Sequence, residues 1–535
     1  MTFIGKGEDS NFDNPDIHRN LGHNDSLNKR YFFKLYSSFL GLIISIITQM
    51  IIPRGLGPKV YGDFNFLTNF FTQVVGFLDM GTSTCFYTNI SRRPREYPLI
   101  SFYLYYIAFV FLFVIGFVAL VHFSGVHETI WLGQSLVYVY LAAGWGLLNW
   151  FVQILGDIAD AYGITVPAEK VRMLQRILGL GVIVILYLYH QFYLTQFFFY
   201  HYFILFFLII AFIGIISRNI HLSKENLRLS WEKAKNYLKD FFNYSHPIFV
   251  IAIVVLVEGI FDRWLLQYYG GSVQQGFYSL SYQIGAICFL FTGAMTPLLM
   301  REYSILHGTN DLNEMGRLFN RYIPMLYAVA AFFSCFVMVQ AQNVVRIIGG
   351  SPFRGSMMAV AIMAMYPIHQ TYGQLTSSLF YAAGRTKLYR NISVIFSLVS
   401  LPITYFMIAP VDKYGLNAGA TGLAIKMLVI NVVAVNVQLY FNAKLLHLSY
   451  LYYLVHQIGC LLFFTSLAAM SSLAANYLLV DGGLYDFILS GITYTMIVIA
   501  SVYFKPEILG LRRNDVQLLV QIIRNRLTAI SHGRC

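Results

Sequence analysis

"PRGLGPKVYGDF", residues 53–64, separates two long apolar runs and carries three glycines, two prolines and two basic residues. A turn so tight and polar fits a phosphate-cradling loop, the surface turn of a soluble domain, or the mouth of a membrane hairpin. Composition chooses among them. Of the 535 residues 57% are hydrophobic and only 12% are charged, and the mean hydropathy is +0.60. Soluble domains carry about 25% charged residues. Three or four soluble domains of ~150 residues could not hide this much apolar surface, so lipid is the solvent.

Crossing ~30 Å of hydrocarbon takes about 20 apolar residues per helix. Such stretches recur near 33–52, 64–89, 99–121, 131–156, 168–189, 193–217, 243–269, 273–300, 321–348, 356–383, 388–410, 416–440, 449–471 and 484–504. Their apolarity is continuous, whereas the strands of a membrane barrel alternate. The expected fold is an all-α polytopic membrane protein of about 14 transmembrane helices.

Charge gives an independent check. Sorted by the loops these spans create, thirty of the 37 Lys and Arg residues fall on the side of the two termini, and six fall opposite. Lys170, Arg172 and Arg176 count with the thirty, and Lys426 lies inside a span. A missed helix would scramble this parity. The asymmetry follows the positive-inside rule and predicts a multi-pass protein of the cytoplasmic (inner) membrane with both termini cytoplasmic. The net charge of +12 then belongs to a face against anionic lipid, and no nucleic-acid partner is expected.

Other absences narrow the function. The polar N-terminus is not a cleavable signal peptide. Cys85, Cys288, Cys335, Cys460 and Cys535 show no paired spacing and read as small apolar residues. The 13 histidines form no HExxH and no Cys/His cluster, so no metal site is expected. No GxxxxGK[ST] loop provides an ATPase, and the opening turn faces away from the cytoplasm. No exoplasmic loop has room for a catalytic domain. The chain is expected not to be an enzyme and to use no cofactor.

The opening turn has an echo. Residues 57–64, "GPKVYGDF", and 271–278, "GSVQQGFY", both set Gly five residues before Gly and an aromatic two later, at an offset of 214. "ADAYGITV" (159–166) and "YAAGRTK" (381–387) align on Gly163 and Gly384 at an offset of 221. Two marks at nearly equal offsets predict two pseudo-symmetric six-helix bundles in the same orientation plus two C-terminal helices. The plan is a cytoplasmic tail (1–32), an N-terminal bundle (33–217), a cytoplasmic amphipathic linker (218–246), a C-terminal bundle (247–440), two further spans (441–504) and a basic cytoplasmic tail (505–535). The linker stretch 224–247 sets Trp231, Leu238, Phe241 and Phe242 among basic residues, the pattern of a helix lying on the membrane surface.

At this point the residues carry a family likeness. "IIPRGLGPKVYGDFNFLTNFFTQVVGFLDMG" resembles the start of polysaccharide-transport (Wzx-like) flippases of the MATE/MurJ/Wzx (MOP) superfamily, which open with an Arg-x-Leu-Gly-Pro turn followed by Tyr-Gly. "DRWLLQYYGGSVQQGFYSL" is similar to their seventh span and its turn, and "YAAGRTKLYRNISVIFSLVSLPITYFMIAPVDKYGLNAGATGLA" to the small-residue region of their tenth to twelfth spans. The resemblance implies two bundles rocking about a central cavity. It also implies a cargo of undecaprenyl-pyrophosphate-linked oligosaccharide, moved across the cytoplasmic membrane for polysaccharide (O-antigen) biosynthesis. Glycan polymerase and other polysaccharide-assembly proteins would be its partners, with membrane lipids.

Such a cargo needs cations and polar groups shielded from lipid, and charges at membrane depth normally face a bundle interior. The candidate head-group cations are Arg54, Lys426 and Arg263. Arg54 matches the family's first-span Arg, which the resemblance associates with cargo phosphate; a snorkelling helix-end Arg is the rival reading. Arg263 follows Asp262 directly and reads equally as a rim residue. Lys426 lies well inside the twelfth span.

The candidate acids for Na+ or H+ coupling are Asp79, Glu258 and Asp262. Glu258 and Asp262 are spaced i, i+4 and share a helix face, where they would bind an ion, exchange a proton, or neutralise a cation on a neighbouring helix. Two other functions stay open beside the flippase. A MATE-like ion-coupled exporter of small organic cations would need acidic cavity residues. A membrane-embedded glycan polymerase or glycosyltransferase would need a large acidic exoplasmic loop.

Overall fold

The computed structural model describes residues 27–190, 192–220, 228–246, 249–287, 290–478, 483–504 and 506. The first 26 residues, linker residues 221–227, Pro247, Cys288 and the tail from 507 onward lie outside them. The described residues form helices, short 3-10 turns and connecting loops, with no strand among them. By length and composition, nine of the helices among the described residues are able to cross a membrane. Their outer faces are apolar: Leu112 and Leu120 of helix Tyr97–Phe123 are 76% and 67% exposed. Apolar surface of that extent is stable against acyl chains, not against water.

The quoted turn breaks a 53-residue helix, Leu27–Asp79, at Gly57 (φ 71°, ψ 168°). Helix Phe249–Ile287 breaks in the same way at Gly271 (φ 69°, ψ −175°). Both conformations lie in a region that only glycine visits without strain. Pro58 opens the segment after the first break, where its missing N–H costs no hydrogen bond. The second pair of marks agrees. Gly163 and Gly384 have φ of 74° and 66°, and the residue after each donates to a helix carbonyl five back, Ile164 to Ala159 and Arg385 to Phe380. Both are helix ends closed by a left-handed glycine. The internal repeat is thus present in backbone conformation as well as in sequence.

Several expected spans are built from two helices. Span 64–89 ends its first piece at Asp79, turns through Met80 and Gly81, and resumes as Thr82–Arg92. The Asp79 carboxylate accepts from the Ser83 amide (2.9 Å) and hydroxyl (2.8 Å) and from Thr82 (3.0 Å), closing the new helix start. Span 321–348 divides into Leu312–Val339 and Ala341–Ile348, and span 356–383 into Met357–Met363 and Tyr366–Ala382. Pro367 in the first turn of the last helix has no N–H to continue the preceding one.

The chain forms two compact units, the first of 1–48, 74–125 and 135–250, the second of 49–73, 126–134 and 251–535. In the first, helix Leu136–Ala161 packs on Leu194–Asn219, where Tyr202 donates to the Leu141 carbonyl at 2.8 Å across Gly144. The linker contributes helix Trp231–Ser245, capped by Ser230. Its Tyr237 donates to Glu96 at 2.6 Å and its Phe241 meets Phe102. Trp231, Leu238 and Phe242 stay exposed on its other side.

In the second unit, the last two helices, Tyr450–Leu478 and Leu484–Phe504, pack with Leu312–Val339. Tyr494 stacks on Phe332 (4.9 Å between centroids) and Phe336 (5.3 Å) and donates to the Phe332 carbonyl at 2.9 Å. Segments 58–73 and 272–287 meet there through a reciprocal contact. A Cβ on Gly62 would lie 1.8 Å from the Ser272 carbonyl oxygen, and one on Gly276 would lie 2.0 Å from the Pro58 carbonyl oxygen. Both pairs repeat at the offset of 214. Ser272 also donates to Asp63, which accepts from Gln134 at 2.6 Å.

This contact makes a testable statement. Gly62→Ala or Gly276→Ala forces two backbones apart, an overpacking cost of about 1–3 kcal/mol each. Because one separation relieves both clashes, the double mutant is expected to lose less than the sum, by more than about 0.5 kcal/mol. Strict additivity in denaturation of the detergent-solubilised protein would show that the two glycines are not coupled.

Candidate functional site

Two helices of the second unit each bring a polar pair of i, i+4 spacing, and a third brings a lysine, to one place. Phe249–Ile287 presents Glu258 and Asp262, Thr386–Ile408 presents Ser400 and Thr404, and Gly419–Leu445 presents Lys426. The Lys426 ammonium donates to Asp262 Oδ2 at 2.7 Å and to Glu258 Oε1 at 3.1 Å. Ser400 donates to Glu258 Oε1 at 2.8 Å and Thr404 to Asp262 Oδ1 at 2.7 Å. One turn before Lys426, Gly422 would place a Cβ 2.8 Å from the Met407 carbonyl oxygen, so the glycine lets its helix close on Thr386–Ile408.

Burial is graded across the triad: the Lys426 side chain is 0% exposed, Asp262 10% and Glu258 24%. A charge this deep is stable only when paired and hydrogen-bonded, and Lys426 has two carboxylates. With both carboxylates ionised, the triad carries one excess negative charge. Glu258 is its more open end.

Arg263 follows Asp262, so its side chain leaves the helix about 100° round from the triad. Its Nη1 donates to Ser279 Oγ at 2.8 Å and to Gln275 Oε1 at 3.2 Å, and the guanidinium lies 4.4 Å from the Tyr278 ring centroid. Gln275, Ser279 and Tyr278 are themselves buried, and Gln275 donates back to the Arg263 carbonyl. A cation over an aromatic face is stabilised without being neutralised. Among the described residues, the hydrogen-bonding and ring partners of Arg263 are all neutral.

The remaining candidates lie elsewhere. Arg54 is exposed and its Nη2 donates to the carbonyls of Arg346 (2.9 Å) and Ile347 (2.5 Å), at the C-terminal end of helix Ala341–Ile348. A cation there satisfies orphan carbonyls and opposes the helix dipole. Asp79, in the first unit, accepts from Thr82 and Ser83 as described and from the Tyr103 hydroxyl at 3.4 Å. Lys426, Glu258 and Asp262 therefore form one cluster, while Arg263, Arg54 and Asp79 each have separate partners.

Sequence reasoning did not single out Ser400 and Thr404, or Gln275 and Ser279. The available signal was the i, i+4 polar pair inside an apolar helix, the same spacing that marked Glu258 and Asp262. Among the described residues no group of three His, Cys, Asp or Glu side chains is placed to hold a metal ion.

Neither a family profile nor a curated protein matches the chain. Solved structures do. A lipid II flippase, MurJ, in an inward closed conformation matches with a TM-score of 0.63 at 15% identity, over 89% of this chain and 100% of its own. An inward-facing multidrug-resistance MATE-family transporter of the MOP superfamily gives 0.59 at 15%, over 76% and 94%. A MOP-superfamily transporter from Pyrococcus furiosus, described by the reverse polarity of its binding pocket, gives 0.53 at 14%, over 78% and 96%. At such identities the shared property is the fold. The chain is a multi-pass helical membrane protein with the fold of MOP-superfamily transporters.

The triad makes a stability prediction. Lys426→Met leaves the buried Asp262 carboxylate and the partly exposed Glu258 without their cation, and is expected to cost about 3 kcal/mol. Adding Asp262→Asn removes the repulsion and is expected to restore much of that loss. A double mutant no more stable than Lys426→Met in thermal denaturation would show that the cluster is not held by its charge balance.

Proposed function

We propose that this protein is a Wzx-like flippase that moves polyprenyl (undecaprenyl)-pyrophosphate-linked oligosaccharide across the cytoplasmic membrane by alternating access, in polysaccharide biosynthesis. The observation that carries the reading is Arg263. It is a guanidinium on helix Phe249–Ile287, within the expected span 243–269, whose hydrogen-bonding and ring partners among the described residues are neutral, so its donors favour an anion. A pyrophosphate accepts the bidentate bonds that a guanidinium donates. Gln275, Ser279 and Tyr278 hold the side chain in place, so little further ordering is needed when the anion arrives.

The acids point the same way. An exporter of organic cations needs an unpaired carboxylate as its receptor. Here Glu258 and Asp262 share Lys426, and Asp79 is occupied at a helix start. In this reading Lys426 is the internal counter-ion of the triad and Arg54 the clamp on a helix end, leaving Arg263 as the head-group cation. The MurJ likeness supports the choice at the level of the fold, since it extends over more of the chain than the MATE likeness does. A MATE-like exporter remains the second reading because the triad has one surplus negative charge, which also suits Na+ or H+ coupling. Both termini are proposed to be cytoplasmic, following the charge asymmetry.

Deletion of the gene in its host is expected to accumulate lipid-linked oligosaccharide in the cytoplasmic leaflet and to abolish surface glycan. Complementation with Arg263→Ala is expected to restore less than about a tenth of the glycan, the loss of one charge-assisted contact of 1.5–3 kcal/mol, and Arg263→Lys more. Full surface glycan from Arg263→Ala at normal protein levels would remove the anion site. Deletion without accumulation, together with lost efflux of organic cations, would transfer the protein to the second reading.

A further inference from the structure

Helix Thr165–Leu188 of the first unit carries charges that neither the triad nor Arg263 uses. Glu169, Arg172 and Arg176 follow at i, i+3 and i+7 and share one face. Leu174, Ile177 and Leu178 lie on the other side and are 48%, 53% and 38% exposed, as residues toward lipid are. The charged face therefore looks into the unit. Arg176 stands eleven residues into this 24-residue helix, about 16 Å from its start at 1.5 Å per residue. It lies inside the expected span 168–189 and counts with the cytoplasmic side in the charge asymmetry.

Each guanidinium occupies a notch that a glycine leaves on a neighbouring helix. A Cβ at Gly41 would lie 1.8 Å from Arg176 Nη1, which donates to the Ser37 carbonyl at 2.5 Å. A Cβ at Gly156 would lie 2.5 Å from Arg172 Nη2. Arg172 Nη1 pairs with buried Glu169 at 2.5 Å, and the guanidinium is 5.5 Å from the Phe212 ring centroid. Helices Leu27–Asp79, Leu136–Ala161 and Leu194–Asn219 thus surround the pair. A guanidinium has five N–H donors. Among the described residues, Arg176 places one on the Ser37 carbonyl and Arg172 one on Glu169. Glu169 is in direct contact with Arg172, whose side chain is 27% exposed, and Arg176 adds a second positive charge one turn further along the same half-buried face.

We propose that Arg172 and Arg176 form a second anion site, which takes a diphosphate group. Residues one helical turn apart set their Cβ atoms about 5–6 Å from each other, a spacing that lets two planar forks engage two linked phosphoryl groups. The inference rests on the cargo reading above and gives that cargo's pyrophosphate a station in the first unit, separate from Arg263. An anion site gains when its donors are fixed before the anion arrives, and the two glycine notches hold them.

The test measures binding of inorganic pyrophosphate to the full-length protein in detergent, by calorimetry. Arg172→Gln and Arg176→Gln are each expected to weaken it about tenfold or more, from the loss of a charged hydrogen-bonded contact. Arg176→Lys is expected to retain part of it. Because Arg176 also ties two helices together, the Arg172→Gln/Glu169→Gln double mutant gives the same readout without that tie and without an orphaned carboxylate. Pyrophosphate affinity unchanged in both Arg172 variants and in Arg176→Gln would overturn the proposal. Loss of affinity in Arg263→Gln alone would overturn it while keeping the Arg263 reading, and loss in the Arg172 and Arg176 variants alone would support it while removing that reading. An arginine-dependent response to phosphatidylglycerol nanodiscs but none to pyrophosphate would assign the pair to lipid head groups and overturn it as well.

Discussion

Two carbonyl oxygens, those of Pro58 and Ser272, press against the bare Cα atoms of Gly276 and Gly62. Neither carbonyl can be moved without bending its helix, and neither glycine can accept even a methyl group. The contact is reciprocal because the two residue pairs are the same pair repeated, 214 positions apart. The surroundings of Arg263 inherit their geometry from this constraint. Gly276 stands between Gln275 and Tyr278, so the stretch of helix pinned by Pro58 is the one that holds the Arg263 guanidinium. Shifting the pinned segment along its axis would withdraw Gln275 and Ser279 from the arginine.

A charged side chain of a membrane protein is stabilised by partners within the protein, and three cations of this chain find theirs in three different ways. Lys426 is matched by carboxylates, which in turn are held by hydroxyls from a third helix. Arg54 is turned to carbonyls at a helix end. Arg263 is held by an amide, a hydroxyl and an aromatic face, and these leave its charge in place. The difference matters for function: a matched charge supports the fold, and an unmatched one is available to a ligand. Counting cations in the sequence does not separate the two.

The fold itself does not settle the cargo. A lipid flippase and a multidrug transporter share it at 15% identity, and function resides in the side chains placed upon it. For this chain the cue lies in how its charges are placed. The second unit combines a cluster of two carboxylates and one ammonium with a guanidinium whose hydrogen-bonding partners are neutral. The first unit has an arginine pair with one carboxylate in contact. The repeat conserved the turns and let the charges diverge.

The sequence by itself determined the class. Continuous apolar runs and two glycine-marked turns at nearly equal offsets were sufficient, because membrane thickness and the cost of unsatisfied backbone leave few alternatives to helices. It also showed that Glu258 and Asp262 share a face, since helical periodicity is local. Only tertiary structure decided that Lys426 faces both of them, that Arg54 reaches the end of a helix almost three hundred residues away, and that Arg176 lies across Gly41. Each of those depends on which helices touch. That is set by close approaches at glycines such as Gly62, Gly276 and Gly422, and a glycine in a sequence does not say which carbonyl will come to meet it.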